Sequence, residues 1–366
     1  MKITTDRDQL LKPLTRIGGV VERRQTLPIL GNILISAGEG GLELTATDLE
    51  VQLRTRAAAE VSEDFDLTLP ARKLMDICKA LPEGGKIEIE VSGERAVLTS
   101  GRSRFTLGLL PAADFPAIDP GTANVRITTD ANRLRGLIEK TQFAMAQQDV
   151  RYYLNGMLLD IDAQRMRAVA TDGHRLAMSD SQWEGSGAEK VQVILPRKAV
   201  LELSRLLAGE ELAVVIDVSS NHVSFEVGDS LFMTKVIDGR FPDYERVLPS
   251  GADKTMMVGR ETFREALVRA SILSNEKYRG IRFSLAPGLL ELEAHNPEQE
   301  EAEESLEVEY GGEELVIGFN VGYLLDVLAV VDKEDVVLEL KDGGSSCLIR
   351  GEGDLDSRYV VMPMRL

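Results

Sequence analysis

The chain has 366 residues, more than one ordinary core accommodates and enough for two or three domains. With 43% hydrophobic and 28% charged residues it has the composition of a folded globular protein, and no apolar run approaches the roughly 18 residues of a membrane span. A net charge of −18 excludes a uniformly basic nucleic-acid binder, but it does not exclude one whose charges are segregated. The opening MKITTDRDQL lacks the apolar stretch of a signal peptide. Cys78 and Cys347 sit in apolar surroundings and read as free buried thiols. A reducing compartment, the cytosol, is the expected location.

In chain order, the first element is a helix near residues 6–20. It contains Pro13, which costs about 3 kcal/mol inside a helix and is expected to kink or shorten it. A strand ending in the turn LTATDLE follows at 44–50, and LPARKLMDICKAL at 69–81 carries Leu74, Ile77, Cys78 and Leu81 at the spacing of an amphipathic helix. Ile87, Ile89 and Val91 alternate as in a strand. Leu134, Leu137, Ile138 and Thr141 mark another helix, AVATDGH at 168–174 another strand and turn, and LPRKAVLELSRLL at 195–207 a further helix. Val214, Ile216 and Val218 alternate again. Phe263, Ala266, Leu267 and Ala270 form a helical stripe, and LEAHNPE at 292–298 repeats the strand and turn. IGFNVGYLLDVLAV at 317–330 is the last helix, with Asn320 as its candidate N-cap, before the alternating Val336, Leu338 and Leu340.

The turn residues Asp48, Asp172 and Asn296 are evenly spaced, and Asp114-Phe115-Pro116 is echoed by Arg240-Phe241-Pro242 in nearly the same register. Repetition at one interval points to three homologous domains, expected at 1–121, 122–249 and 250–366. Each holds two helices and several antiparallel strands, making an α+β protein with six helices.

Five of the six helical windows carry net positive charge, so strands and loops hold the large negative excess. Helices sharing one side of the fold would offer a cationic lining to a polyanion. Contacts of that kind hold phosphates and read no sequence.

Three local patterns invite a function. The terminal YVVMPMRL alternates apolar with other residues, so this end either forms a last core strand or binds partners through its adaptable methionines. Asp172-Gly173-His174 has the look of a catalytic pair, and a hydrolase built on it is one rival reading. It lacks an accompanying nucleophile motif, so a structural turn is favoured and no catalytic residue is assigned. The acidic run around Glu298–Glu304 lacks the glycine and alternating oxygens of a calcium loop, so no metal is expected. A second rival is an acidic scaffold that binds only proteins.

The chain resembles the beta sliding clamps of bacterial DNA polymerase III along essentially its whole length. The resemblance rests on TLPILGN (26–32), GRSRF (101–105), PAADFP (111–116), DVRYYLNGM (149–157), TDGHRL (171–176), DGRFPDYERVLP (238–249), LSNEKYRG (273–280), NPEQEEAEE (296–304) and YVVMPMRL (359–366). Glu245 departs from it, since close relatives often carry a basic residue there, and the loop at 183–188 matches nothing. The resemblance implies three clamp-type domains per chain, with two helices packed on antiparallel sheets in each. It also implies a ring closed as a head-to-tail homodimer around double-stranded DNA, with no enzymatic activity and no cofactor. The implied partners are the replicative polymerase, an ATP-driven clamp loader and repair proteins, each bearing a short linear peptide; no membrane is involved.

Carried over position by position, the DNA contacts would be Arg24, Arg72, Lys73, Gln148, Tyr152, Tyr153, Lys198 and Arg279. The peptide cleft would be lined by Leu154, Thr171, Gly173, His174, Arg175 and Leu176, with Pro242, Arg246 and Val247 beside them. Asn320, Tyr323, Val360, Met362, Pro363 and Met364 would complete it. At the dimer edge, Glu298, Glu300, Glu301, Glu303 and Glu304 would face Lys73, Arg102 and Arg104 of the partner, while Phe105, Leu107, Ile272 and Leu273 supply apolar contact.

Overall fold

The computed structural model describes residues 1–21, 27–118, 121–182 and 190–365. Arg24, the loop at 183–188 and Leu366 lie outside the described residues. Six α-helices occur among those described: α1 (Arg7–Ile17), α2 (Ala71–Ala80), α3 (Ala131–Thr141), α4 (Arg197–Leu207), α5 (Arg260–Ser271) and α6 (Val321–Val330). The expected stripes are their buried faces. Leu134, Leu137, Ile138 and Thr141 are at most 3% exposed, and Phe263, Ala266, Leu267 and Ala270 are fully buried. Pro13 does not end α1, which runs four residues beyond it and buries Leu10, Pro13, Leu14 and Ile17 on one side. Asn320 caps α6, its side-chain oxygen accepting from the backbone N–H of Gly322 and Tyr323.

The chain forms two compact units, one of 1–134 with 201–236 and one of 135–200 with 237–366. In the first, α1 packs against α2. An eight-stranded antiparallel sheet runs Val125–Asp130, Ala213–Val218, His222–Val227, Ser230–Lys235, Val51–Ala57, Gly41–Thr47, Asn32–Gly38, Phe65–Pro70. Its two halves come from different repeats and join where Phe232 pairs with Leu53 and Thr234 with Val51. A five-stranded sheet ends on the edge strand Ser103–Gly108.

The second unit is built alike, with α5 packed against α6. Its eight-stranded sheet runs Val191–Pro196, Gly156–Ile161, Arg165–Thr171, Arg175–Gln182, Ser357–Val361, Cys347–Gly351, Asp335–Leu340, Lys254–Gly259. The join is Leu176 opposite Val360 and Ala177 opposite Tyr359. A four-stranded sheet places Glu301–Glu307 at its edge. The middle repeat therefore gives four strands to each eight-stranded sheet, which is why three repeats yield two compact units. Among the described residues no helix is long and apolar enough to cross a membrane.

Candidate peptide-binding cleft and nucleic-acid interface

The evenly spaced polar residues make the same kind of turn. Asp48 Oδ1 accepts from the backbone N–H of Glu50 and Val51, and Asp172 Oδ1 does so from His174 and Arg175. Asn296 Oδ1 accepts from Glu300 in a slightly longer turn. A short polar side chain bonding the backbone ahead of it stabilises a hairpin corner. In the second turn Gly173 has φ +88, and a Cβ there would lie 2.9 Å from the Arg151 guanidinium. The positive φ favours glycine, although Leu49 holds φ +79 at the matching place in the first turn. Both carboxylate oxygens of Asp172 are thus engaged, Oδ1 by backbone and Oδ2 by Arg175, as a structural turn requires.

Around this turn the second unit gathers most of the expected cleft residues. Arg175 is pinned from several sides: Nε to Asp172 Oδ2 at 3.1 Å, Nη1 to Asp326 Oδ2, and Nη2 to the Phe143 carbonyl at 2.9 Å. Its guanidinium lies 4.6 Å from the Tyr323 ring centroid and 5.2 Å from that of Phe143. The His174 ring stacks on Tyr323 at 6.4 Å. Burial pushes the Tyr323 phenol up, and the nearby Asp172 carboxylate adds to the shift. Phe143 and Asp326 were not legible as site residues, because they lie 32 and 151 positions from Arg175 and carry no local motif.

The terminal segment crosses beside the turn. The backbone N–H of Met362 donates to the His174 carbonyl at 2.9 Å, and that of Met364 donates to the Gly318 carbonyl at 2.8 Å. The strict alternation expected here fails. Tyr359, Val360 and Val361 are all buried in a central strand, because Ser357–Val361 has neighbours on both edges. Val360 is therefore core, and only from Met362, which is 36% exposed, does the chain reach the surface. The core-strand reading thus holds for the first half of this end, and the second half is left at the surface.

Beneath lies an apolar cluster of Leu158, Val169, Leu176, Met178, Ile194, Phe241, Tyr244 and Val360, with Tyr153, Val247 and Leu348 packed on its margin. Leu154 and Thr171 are buried, Pro242 and Arg246 exposed, and Pro363, Met364 and Asn320 half-buried. The Thr171 hydroxyl donates to the Arg175 carbonyl at 2.6 Å and accepts from the Gly173 N–H at 3.1 Å. The floor is thus apolar and anchored, and the rim carries adaptable methionine and polar side chains.

Tyr244 ties the loop bearing Pro242, Arg246 and Val247 to a buried polar group. Its hydroxyl donates to Asp160 Oδ2 at 3.0 Å and accepts from Arg167 Nη1 at 3.3 Å, and Arg167 also forks onto Asp180. Burial lowers the Arg167 pKa, but the Asp180 and Tyr244 hydrogen bonds outweigh it and the net shift is upward. Glu245, the departure from the family pattern, places its carboxylate 3.6 Å from Arg167.

The expected DNA contacts fall in both units. Arg72 and Lys73 stand exposed on α2. In the other unit Gln148 and Tyr152 are exposed, and Lys198 and Arg279 half-buried. Gln148 and Arg279 hold left-handed backbone conformations, with φ +56 and +53, which are uncommon for residues with a side chain. Tyr153, by contrast, turns toward the cleft floor. Arg24 lies outside the described residues.

At the expected dimer edges, Arg102 and Arg104 are exposed, Phe105 half-buried and Leu107 buried, at or beside the edge strand Ser103–Gly108. Ile272 is 74% exposed just after α5, and Leu273 is half-buried. Glu298, Glu300, Glu301 and Glu303 face solvent. Glu304 does not: Arg269 of its own chain holds it with bonds of 2.8 and 2.9 Å, and that pairing keeps its carboxyl below the usual range. Arg269, on α5 of the same chain, is thus the partner of Glu304 within the protomer. Among the described residues no cluster of His, Cys, Asp and Glu could hold a metal ion.

Known proteins align with this chain end to end. Models of the DNA polymerase III beta subunit match its N-terminal domain at residues 1–119, its central domain at 128–243 and its C-terminal domain at 245–365. The beta sliding clamps of Pseudomonas putida and Escherichia coli K12 are 53% and 49% identical, with 100% of both chains covered. Among solved structures, the DNA polymerase III subunit beta of Pseudomonas aeruginosa is 52% identical, with a TM-score of 0.97 and 100% of both chains covered. That of Caulobacter crescentus is 39% identical, with a TM-score of 0.95 over 100% of each chain.

Proposed function

We propose that this chain, which belongs to the family of bacterial DNA polymerase III beta subunits, the sliding clamps, works as a non-enzymatic tether in the cytoplasm. Membership carries the role: a ring-shaped processivity factor that encircles duplex DNA and holds the replicative polymerase and other replication and repair proteins to it. A closed ring needs no tight DNA contact, because topology retains it. Weak phosphate contacts, which salt screens, then permit sliding.

Arg24, Arg72, Lys73, Gln148, Tyr152, Lys198 and Arg279 are the proposed DNA contacts. Tyr153 is better assigned to the cleft margin. The three domains are proposed at 1–121, 122–249 and 250–366. The dimer is proposed to form where the edge strand Ser103–Gly108 of one protomer meets the edge strand Glu301–Glu307 of its partner. Unpaired edges seek a ladder, and the exposed Arg102 and Arg104 complement the exposed Glu298, Glu300, Glu301 and Glu303. Glu304 belongs to Arg269 and is left out of that set.

The tethering function rests on one observation above others. The terminal Met362-Pro363-Met364 segment is fastened between the His174 and Gly318 carbonyls over an apolar floor, with Arg175, His174 and Tyr323 alongside. That is a groove with apolar anchors for a short extended peptide, the mode in which few buried side chains supply most of the affinity. The clamp role is tested by loading the protein onto nicked circular DNA with an ATP-driven loader. It should co-elute with circles and dissociate once they are linearised; equal retention on linear DNA would refute the ring.

A further inference from the structure

The sulfur atoms of this chain are unequally reachable. Of its 11 methionines, Met145, Met157, Met166, Met178, Met233 and Met256 are at most 3% exposed. Met362 is exposed and Met364 half-buried, on either side of Pro363 at the rim of the cleft. Met364 also lines an open hollow of about 440 Å³ beside Tyr278 and Arg365, which gives a solute as small as hydrogen peroxide a path to it. Met75 and Met257 are half-buried, and neither is a cleft residue. Both thiols are closed to oxidants: Cys78 and Cys347 are fully buried, and burial pushes Cys78 up to about 11 and raises Cys347 as well. Few thiolates form, so two-electron oxidation falls to the reachable thioethers.

We propose that Met362 and Met364 form a reversible oxidation site, where hydrogen peroxide converts the thioethers to sulfoxides and so weakens the hold of the cleft on its peptide. The inference rests on the cleft reading. In the step, a sulfur lone pair attacks one peroxide oxygen and the O–O bond breaks. Sulfur keeps that oxygen and is oxidised by two electrons, while the other oxygen leaves as water with both protons. A thioether is an adaptable apolar contact, whereas a sulfoxide is a polar acceptor. An apolar peptide anchor laid over it strips its water and returns no hydrogen bond. The fold is spared, because the segment is fastened by the backbone N–H groups of Met362 and Met364 and not by their side chains. Oxidation therefore changes what the rim accepts and leaves the segment in place. Methionine sulfoxide reductases, one for each sulfoxide epimer, reverse it.

The test treats the full-length protein with hydrogen peroxide and maps each sulfoxide by peptide mass spectrometry. A fluorescent peptide from the clamp-binding segment of the replicative polymerase is titrated before and after. Met362 and Met364 should oxidise while the six buried methionines do not. Affinity should then fall about tenfold or more, the cost of covering one unsatisfied acceptor, with circular dichroism unchanged. Methionine sulfoxide reductases A and B together should restore it. The double variant Met362→Leu, Met364→Leu should show no fall from its own starting affinity, whereas Met75→Leu with Met257→Leu should fall as the parent does. An oxidised parent that binds as tightly as before, a fall that persists in the Met362→Leu, Met364→Leu variant, or one that the reductases fail to reverse overturns the oxidation site and spares the cleft. An untreated parent that fails to bind the peptide overturns the cleft reading and the oxidation site with it.

Discussion

The hydroxyl of Tyr244 donates to Asp160 Oδ2 at 3.0 Å across 84 positions of sequence, in a place where Asp160 is only 1% exposed. Gln192 gives that same oxygen a second bond at 3.0 Å, but Asp160 Oδ1 has no partner among the described residues. Tyr244 is thus the loop's fastening to the sheet. Tyr244→Phe removes one donor from a buried carboxylate and one acceptor from Arg167, a loss of about 1–3 kcal/mol. Denaturant unfolding should record that loss, and peptide affinity should fall with it because Pro242, Arg246 and Val247 ride on the same loop. An unchanged unfolding midpoint would show that the hydroxyl anchors nothing.

Met364→Ala should weaken polymerase and loader peptides together, each by roughly tenfold or more as for a central contact residue, while the dimer keeps its mass. Titration of both peptides checks this. A variant that loses one and retains the other would place the two partners on separate surfaces.

Charge reversal at Arg102→Glu with Arg104→Glu places like charges opposite the exposed glutamates. Sedimentation should show about half the parental mass at micromolar concentration, since opposed like charges across an interface cost several kcal/mol. Glu304→Gln should instead leave the dimer intact, because its carboxylate answers to Arg269. Persistent dimers in the first variant would rule out the proposed edge.

Arg151 grips Asp149 through Nη2 at 2.8 Å, and its backbone N–H also donates to that carboxyl at 2.8 Å. The side-chain bond, followed by the backbone bond, lowers the Asp149 pKa to about 2. A lowered carboxyl stabilises the folded loop above its unfolded value of roughly 3.9, and that contribution is lost as pH falls through about 2. A carboxyl-carbon NMR titration should therefore show a midpoint near 2, moving part of the way back toward the ordinary value in Arg151→Ala. An unshifted midpoint in the parent would mean that the pair does not form in solution.

Much of this molecule is local and therefore readable. The apolar stripe of Phe263, Ala266, Leu267 and Ala270 closes on its own within three turns, and Asp48 and Asp172 bond backbone two and three positions ahead. Helical and strand periodicities and short polar turns are decided within a dozen residues, so three even recurrences of them announced three alike domains. Asn320 was legible as a cap for the same reason.

The tertiary structure decided which strand edges met, and no local pattern carries that information. Pairing Thr234 with Val51, or Leu176 with Val360, depends on edges left open by separate repeats closing on one another over long loops. That closure buried Val360 and Val361 alike, gave Arg175 the distant Asp326 and Phe143, and let Arg269 claim Glu304. Side-chain chemistry near each residue was written in the chain. The identity of its neighbour, being a matter of which long loop closes, became definite only on folding.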